Sequence, residues 1–157
     1  MNNWMQVKVK YTKQLDNGAL KRVTEPYLLA AMTFTDAEAR IYEELGSVIR
    51  GEFHVVAIQR VEIHDIFAYG DADVWYKAKV SYDSVDSDSE KSRKVTNTFL
   101  VSAESVKHAT ERIQENLTGM LSAYEIKSVI ESPIVDIFPY ADEELKDKEI
   151  NRQPAEA

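Results

Sequence analysis

The sequence predicts an α+β fold built from tandem duplicated β-β-α-β half-domains. Together these are expected to form one pseudo-twofold domain, with an antiparallel-rich sheet and two helices on one face. Three observations predict this. The stretch Trp4-Met5-Gln6-Val7-Lys8-Val9-Lys10-Tyr11 is echoed 71 residues later by Trp75-Tyr76-Lys77-Ala78-Lys79-Val80-Ser81-Tyr82. Each copy leads into the same order of strand-like and helix-like patterns. The tripeptide Asp65-Ile66-Phe67 recurs at the same offset as Asp136-Ile137-Phe138. A period of this length is too long for a solenoid repeat and suits duplicated halves of one domain.

In the first copy, Met5, Val7, Val9 and Tyr11 alternate with Trp4, Gln6, Lys8 and Lys10. That period of two belongs to a strand with one buried face. Asp16-Asn17-Gly18 tolerates positive φ and reads as a hairpin turn. The return strand spans roughly Lys21–Met32, where Pro26 has no N–H to donate and favours an edge or a bulge. Thr35-Asp36-Ala37-Glu38 fits a capping box, and Ala37, Ile41, Leu45 and Val48 come after it at helical spacing. A helix over about 36–49, ended by Gly51, is therefore expected. Phe53–Ile63, rich in Val and Ile, completes the unit as a third strand.

After the polar connector 69–73, the pattern restarts. A strand is expected over 74–82, a longer acidic hairpin loop over 83–90, and a return strand around 95–101. The next helix places Ala109, Ile113 and Leu117 where the first has Ala37, Ile41 and Leu45, and Arg112 repeats Arg40. A final strand runs over 124–130. The expected boundaries are 1–68 and 69–140 for the two repeats, with 141–157 a disordered acidic tail.

Composition narrows the function classes. The chain has 157 residues, 44% of them hydrophobic and 29% charged, which is ordinary for a globular protein. It has no cysteine, so disulfides, thiolate zinc sites and cysteine nucleophiles are excluded. No apolar run reaches the roughly 18 residues of a membrane span, and the N-terminus lacks the apolar core of a signal peptide. The expectation is a cytoplasmic protein without a membrane role. A net charge of −8 opposes non-specific binding to duplex nucleic acid.

Four strings resemble an uncharacterised domain-of-unknown-function family of Bacteroides-group bacteria and their phages. They are the opening Trp4-x-x-Val7-Lys8-Val9-x-Tyr11, Val23–Leu28, Thr35–Ile41 and Pro133–Pro139. The resemblance covers about residues 3–140. It implies a bacterial or phage-encoded protein acting in the bacterial cytoplasm, and it brings no catalytic residues.

The candidate binding face is Trp4, Lys8 and Lys10 with Trp75, Lys77 and Lys79. On an open sheet, Lys would meet phosphates and Trp would stack a base of single-stranded nucleic acid. The competing reading has Lys solvating an outer face and guarding a strand edge. Asp86-x-Asp88-x-Glu90 places oxygen ligands at alternate positions but lacks the glycine and closing glutamate of a calcium loop, so it is read as a solvated turn. His54, His64 and His108 have no metal-ligand spacing. No phosphate-binding or nucleophile motif occurs among the five glycines. No catalytic residue, metal or cofactor is therefore expected. The sequence points to a non-catalytic binding protein acting through protein–protein contacts, as a self-associating or adaptor protein; a free sheet edge, if present, would favour a dimer by strand addition. The alternative is a single-stranded nucleic-acid-binding module using the Trp/Lys face.

Overall fold

A computed structural model describes residues 3–85, 92–120 and 123–140. Its elements in chain order are β1 (Trp4–Gln14), β2 (Leu20–Ala30), α1 (Phe34–Leu45), β3 (Phe53–Val61), β4 (Asp65–Phe67), β5 (Trp75–Val85), β6 (Ser92–Ser102), α2 (Val106–Asn116), β7 (Tyr124–Ser132) and β8 (Ile137–Phe138). The fold is α+β and rich in strands. Two compact units divide the described residues: 3–62 with 133–140, and 63–132.

Each unit is one hairpin with a strand added on either side. In the first unit the order is β3-β1-β2-β8, and in the second it is β7-β5-β6-β4. The hairpins pair over eleven rungs each, from Trp4↔Ala30 to Gln14↔Leu20 and from Trp75↔Ser102 to Val85↔Ser92. Alternation of apolar residues along both strands drives this register, because a one-residue slip would turn every core side chain to the other face. Gly18, at φ 83°, supplies the left-handed residue the first turn needs.

The third strand of each unit carries a bulge at the matching place. Val9 pairs with Val55 and Lys8 with Ala57, leaving Val56 extra; Val80 pairs with Ile126 and Lys79 with Ser128, leaving Lys127 extra. The bulge keeps apolar residues three apart, Val55 and Ile58 or Ile126 and Val129, packed against the core.

The first core joins Met5, Val7, Val9, Tyr27 and Leu29 from the sheet to Ala37, Ile41 and Leu45 from α1. The second joins Tyr76, Ala78, Val80, Phe99 and Val101 to Ala109, Ile113 and Leu117. Each fully buried Ile or Leu on these helix stripes contributes about 2 kcal/mol of transfer free energy.

Three expectations are corrected, and one division of the chain is added. First, there are two four-stranded sheets, each with its own helix, rather than one sheet bearing both helices. Both sides of each hairpin are already taken by β3 and β8 or by β7 and β4. Second, the compact units divide between Glu62 and Ile63, because Asp65–Phe67 pairs in parallel with β6. Correspondingly, β8 pairs in parallel with β2. Third, α1 is capped by Thr33, whose hydroxyl accepts from the Asp36 amide at 3.0 Å. Thr33 and Thr35 both precede an acid by three residues, and Ala37, Ile41 and Leu45 form the buried stripe as their spacing requires. Fourth, α1 ends at Leu45 with Gly46 as its cap, so Ile49 is buried and Val48 exposed. The acidic positions Asp86, Asp88 and Glu90 and the tail 141–157 lie outside the described residues.

Candidate binding surfaces

The structure keeps Trp4, Lys8 and Lys10 on one sheet face of the first unit, and Trp75, Lys77 and Lys79 on one face of the second. Neither group forms an open stacking platform. Trp4 is 7% exposed and Trp75 9%, beside the buried Ala30, Leu28 and Ile137 in one unit and Ser102, Leu100 and Ile66 in the other. Lys8, Lys10 and Lys79 are exposed and Lys77 half-buried. The aromatic half of the expected site is thus unavailable to a base without rearrangement. His54 and His64 are exposed. His108 serves the α2 cap: its amide donates to the Ser105 hydroxyl at 3.0 Å, and its Nδ1 accepts from the Glu104 amide at 3.2 Å. No cluster of three metal-ligating side chains occurs among the described residues. Nor is any helix among them long and apolar enough to cross a membrane.

The first feature that sequence reasoning missed is a groove in the second unit. One wall is the α2 row Val106, Thr110 and Gln114, spaced four apart and so on one helix face. The other is β7, with Tyr124, Ile126 and Val129. The space is an open groove of about 550 Å³. β7 is an outer strand whose second edge carries no further strand among the described residues. Its bulge and the Lys127–Glu125 ion pair, at 2.9 Å, limit indiscriminate pairing along that edge.

The matching place in the first unit is filled. Tyr42 stands where Gln114 does, and it stacks on Phe53 with ring centroids 4.9 Å apart. Its hydroxyl accepts from the Val55 amide at 3.4 Å. Phe34 stands where Val106 does, with the Arg60 guanidinium 5.4 Å from its ring. The signal was present in the sequence: Phe34 and Tyr42 face Val106 and Gln114 when the two repeats are laid together.

The second missed feature is the seat for the short parallel strands. In the first unit, the Val135 amide donates to the Pro26 carbonyl at 2.9 Å, and the Leu28 amide donates to the Asp136 carbonyl at 3.1 Å. Pro26 therefore turns its missing N–H toward the β8 side, where no β1 rung is lost. Phe138 stacks on Tyr27, centroids 5.9 Å apart. Arg40 closes the seat by donating to the Ala30 carbonyl and, at 2.8 Å, to the Pro139 carbonyl. In the second unit, the His64 amide donates to the Thr98 carbonyl at 2.8 Å, and Phe67 stacks on Phe99 at 5.5 Å. Arg112 donates to the Ser102 carbonyl at 2.7 Å and to Asp71 Oδ2 at 2.5 Å, with its guanidinium 3.9 Å from the Tyr69 ring. In both seats, the aspartate starting the short strand accepts from the next amide at 2.8 Å. That local bond gives the repeated Asp65 and Asp136 a structural role.

Electrostatics also distinguish the units. The hydrogen bond and charge of Arg112 hold Asp71 below the usual carboxylate range. In the first unit, Glu25 accepts from the Tyr11 hydroxyl and lies 3.6 Å from Lys13. Burial, then the charges of Glu25 and Asp136, push the Tyr27 hydroxyl up to about 12. Burial and Glu25 likewise push Tyr11 upward. At the matching position of the second unit, Asn97 donates to Tyr82 at 2.9 Å, so no carboxylate is present.

No curated protein and no solved structure matches the chain. The sequence does match a family described as a domain of unknown function, DUF4494, across residues 3–140, a span that takes in both units and both seats. The chain belongs to that family.

Proposed function

We propose that this is a non-catalytic binding protein that works through protein–protein contacts, with the α2/β7 groove as its contact site. One observation carries the reading: the crevice between helix and outer strand is plugged by Tyr42 in the first unit and open at Gln114 in the second. An open groove beside a strand edge that no other described strand covers suits an extended segment of a partner. Main-chain bonds to β7 would give affinity, and alternate side chains entering the groove would give specificity. The matched order, register and bulge of the two sheets support descent of the units from one duplicated ancestor. The family resemblance is the support for a bacterial or phage origin and a cytoplasmic site of action.

The test is affinity capture from a bacterial host lysate with three forms of the protein. Wild type and a Lys8/Lys10/Lys77/Lys79→Ala variant are expected to retain the same partner, and Gln114→Tyr is expected to lose it. Retention by Gln114→Tyr would remove the groove assignment. A strict monomer in sedimentation, with no partner captured, would remove the function itself.

A further inference from the structure

We infer that the seat beside β2 is an exchangeable receptor for a second copy of this chain. Residues Asp136–Tyr140 of one molecule dock there in another, in the parallel register they adopt in their own. This goes beyond the groove reading and uses a different surface.

Neither short strand docks on the sheet that holds the strand before it. β4 follows β3 of the first unit and pairs with β6 of the second; β8 follows β7 of the second and pairs with β2 of the first. Recognition therefore lies in the segment itself and not in its nearness along the chain. The two segments share a chemistry, Asp-Ile-Phe-x-Tyr, as Asp65–Tyr69 and Asp136–Tyr140. The two seats share the matching groups: a strand edge, an aromatic ring at Tyr27 or Phe99, and a helix arginine that donates to the carbonyl ending the second hairpin strand.

The seat beside β2 is the looser of the two. β8 pairs over two residues where β4 pairs over three. Arg40 lies 6.0 Å from the Tyr140 ring, against 3.9 Å for Arg112 and Tyr69; Arg40 pairs with Glu44 of its own helix at 3.3 Å, whereas Arg112 pairs with Asp71, just beyond the short strand, at 2.5 Å. Release of so short a strand gives up few bonds, and a second copy restores all of them. Exchange of an identical element between protomers is therefore an accessible route to a dimer. The hinge is Pro133–Ile134, between β7 and Val135, whose amide already bonds to the seat.

The chain lacks cysteine, so introduced thiols report cleanly. Val135 is exposed and Pro26 half-buried, and their backbones touch at 2.9 Å. Full-length Pro26→Cys and Val135→Cys chains are mixed, oxidised and run on a denaturing gel. The comparison is Val135→Cys mixed with Leu20→Cys, whose thiol sits at the exposed hairpin end. A several-fold excess of interchain disulfide in the first mixture, removed when Phe138→Ala is added to the Val135→Cys chain, is the expected result. A yield no greater than the Leu20 control, or an excess that survives Phe138→Ala, overturns the inference. The pair Leu28→Cys and Ile137→Cys repeats the experiment one rung along, so that a local effect of replacing Pro26 cannot decide the outcome.

Discussion

The two units share strand order, hairpin register and bulge, yet they treat the crevice between helix and outer strand in opposite ways. In the first, Tyr42 on Phe53 and Phe34 with Arg60 close it. In the second, Gln114 faces Tyr124 and Val106 has no aromatic bulk, so the groove stays open. The arginine seats diverge in the other direction. Arg112 is 4% exposed and held by a carbonyl, a carboxylate and a ring, while Arg40 is held by carbonyls and the half-buried Glu44. One backbone frame thus supports two specialisations, one unit more firmly clamped at its seat and the other more fully packed beside its helix. Side chains at a few matched positions make the difference.

Breaking the stronger clamp gives the largest expected effect. Arg112→Met leaves the Ser102 carbonyl buried without its donor and Asp71 without its partner. It is expected to destabilise the second unit by about 3 kcal/mol, and Arg40→Met the first by about 1 kcal/mol. Native-state hydrogen exchange, read separately for the two units, checks this; equal losses would contradict the asymmetry.

Alkaline pH comes next and acts most on the first unit, where Tyr11 and Tyr27 are both held upward. The Tyr27 hydroxyl rises from 10.0 to about 12 in the folded state. Below pH 10 both folded and unfolded forms keep the proton, so the stability is fully present there. Between 10 and about 12 only the folded form keeps it, and stability falls with rising pH, by a total on the order of 2 kcal/mol. Tyrosinate absorbance followed with urea unfolding reads the effect. Tyr27→Phe, which copies Phe99, is expected to remove the Tyr27 share and to leave those of Tyr11 and Tyr69, whose hydroxyls are also held upward by burial.

Exchanging the crevice residues is a smaller perturbation. Tyr42→Gln removes a ring stack and opens the first unit, at a cost of about 1–2 kcal/mol. Gln114→Tyr sets a ring against Tyr124 and is expected to stabilise the second unit by about 0.5–1 kcal/mol. Urea midpoints measure both, and a destabilised Gln114→Tyr would mean that the groove does not accept the ring.

The smallest effect is at acid pH. Asp71 is held below its ordinary value of 3.8, so its pairing with Arg112 is present above that value and fades as pH drops through the lower folded value. Asp71→Asn is expected to remove this part of the acid dependence and to leave the alkaline limb unchanged.

Much of this was legible in the residues. The alternation of Met5, Val7 and Val9, and of Tyr76, Ala78 and Val80, marked strands and the core face, and Ala37, Ile41 and Leu45 marked the helix stripe. The bulges were also written there, as the change from two to three in the spacing of Val55 and Ile58 and of Ile126 and Val129. The cap of α1 was ambiguous because Thr33 and Thr35 both satisfy the local pattern. Alternation places Trp4 and Trp75 on the same face as the lysines, but it tells only which side chains share a face and not whether that face is covered. The groove depends on a missing ring, which shows only when Gln114 is compared with Tyr42.

By itself, the sequence determined the two hairpins, the two helices, the core faces and the recurrence of Asp-Ile-Phe. These arise from periods of two and 3.6 and from turn chemistry, all of which act over a few residues. Only the tertiary structure decided that there are two sheets, that β4 and β8 dock on sheets other than those of the strands before them, and that the two arginines close the resulting seats. A two-residue parallel strand has no period of its own. Its place is set by which edge, ring and guanidinium are free to receive it, and that depends on the folded whole.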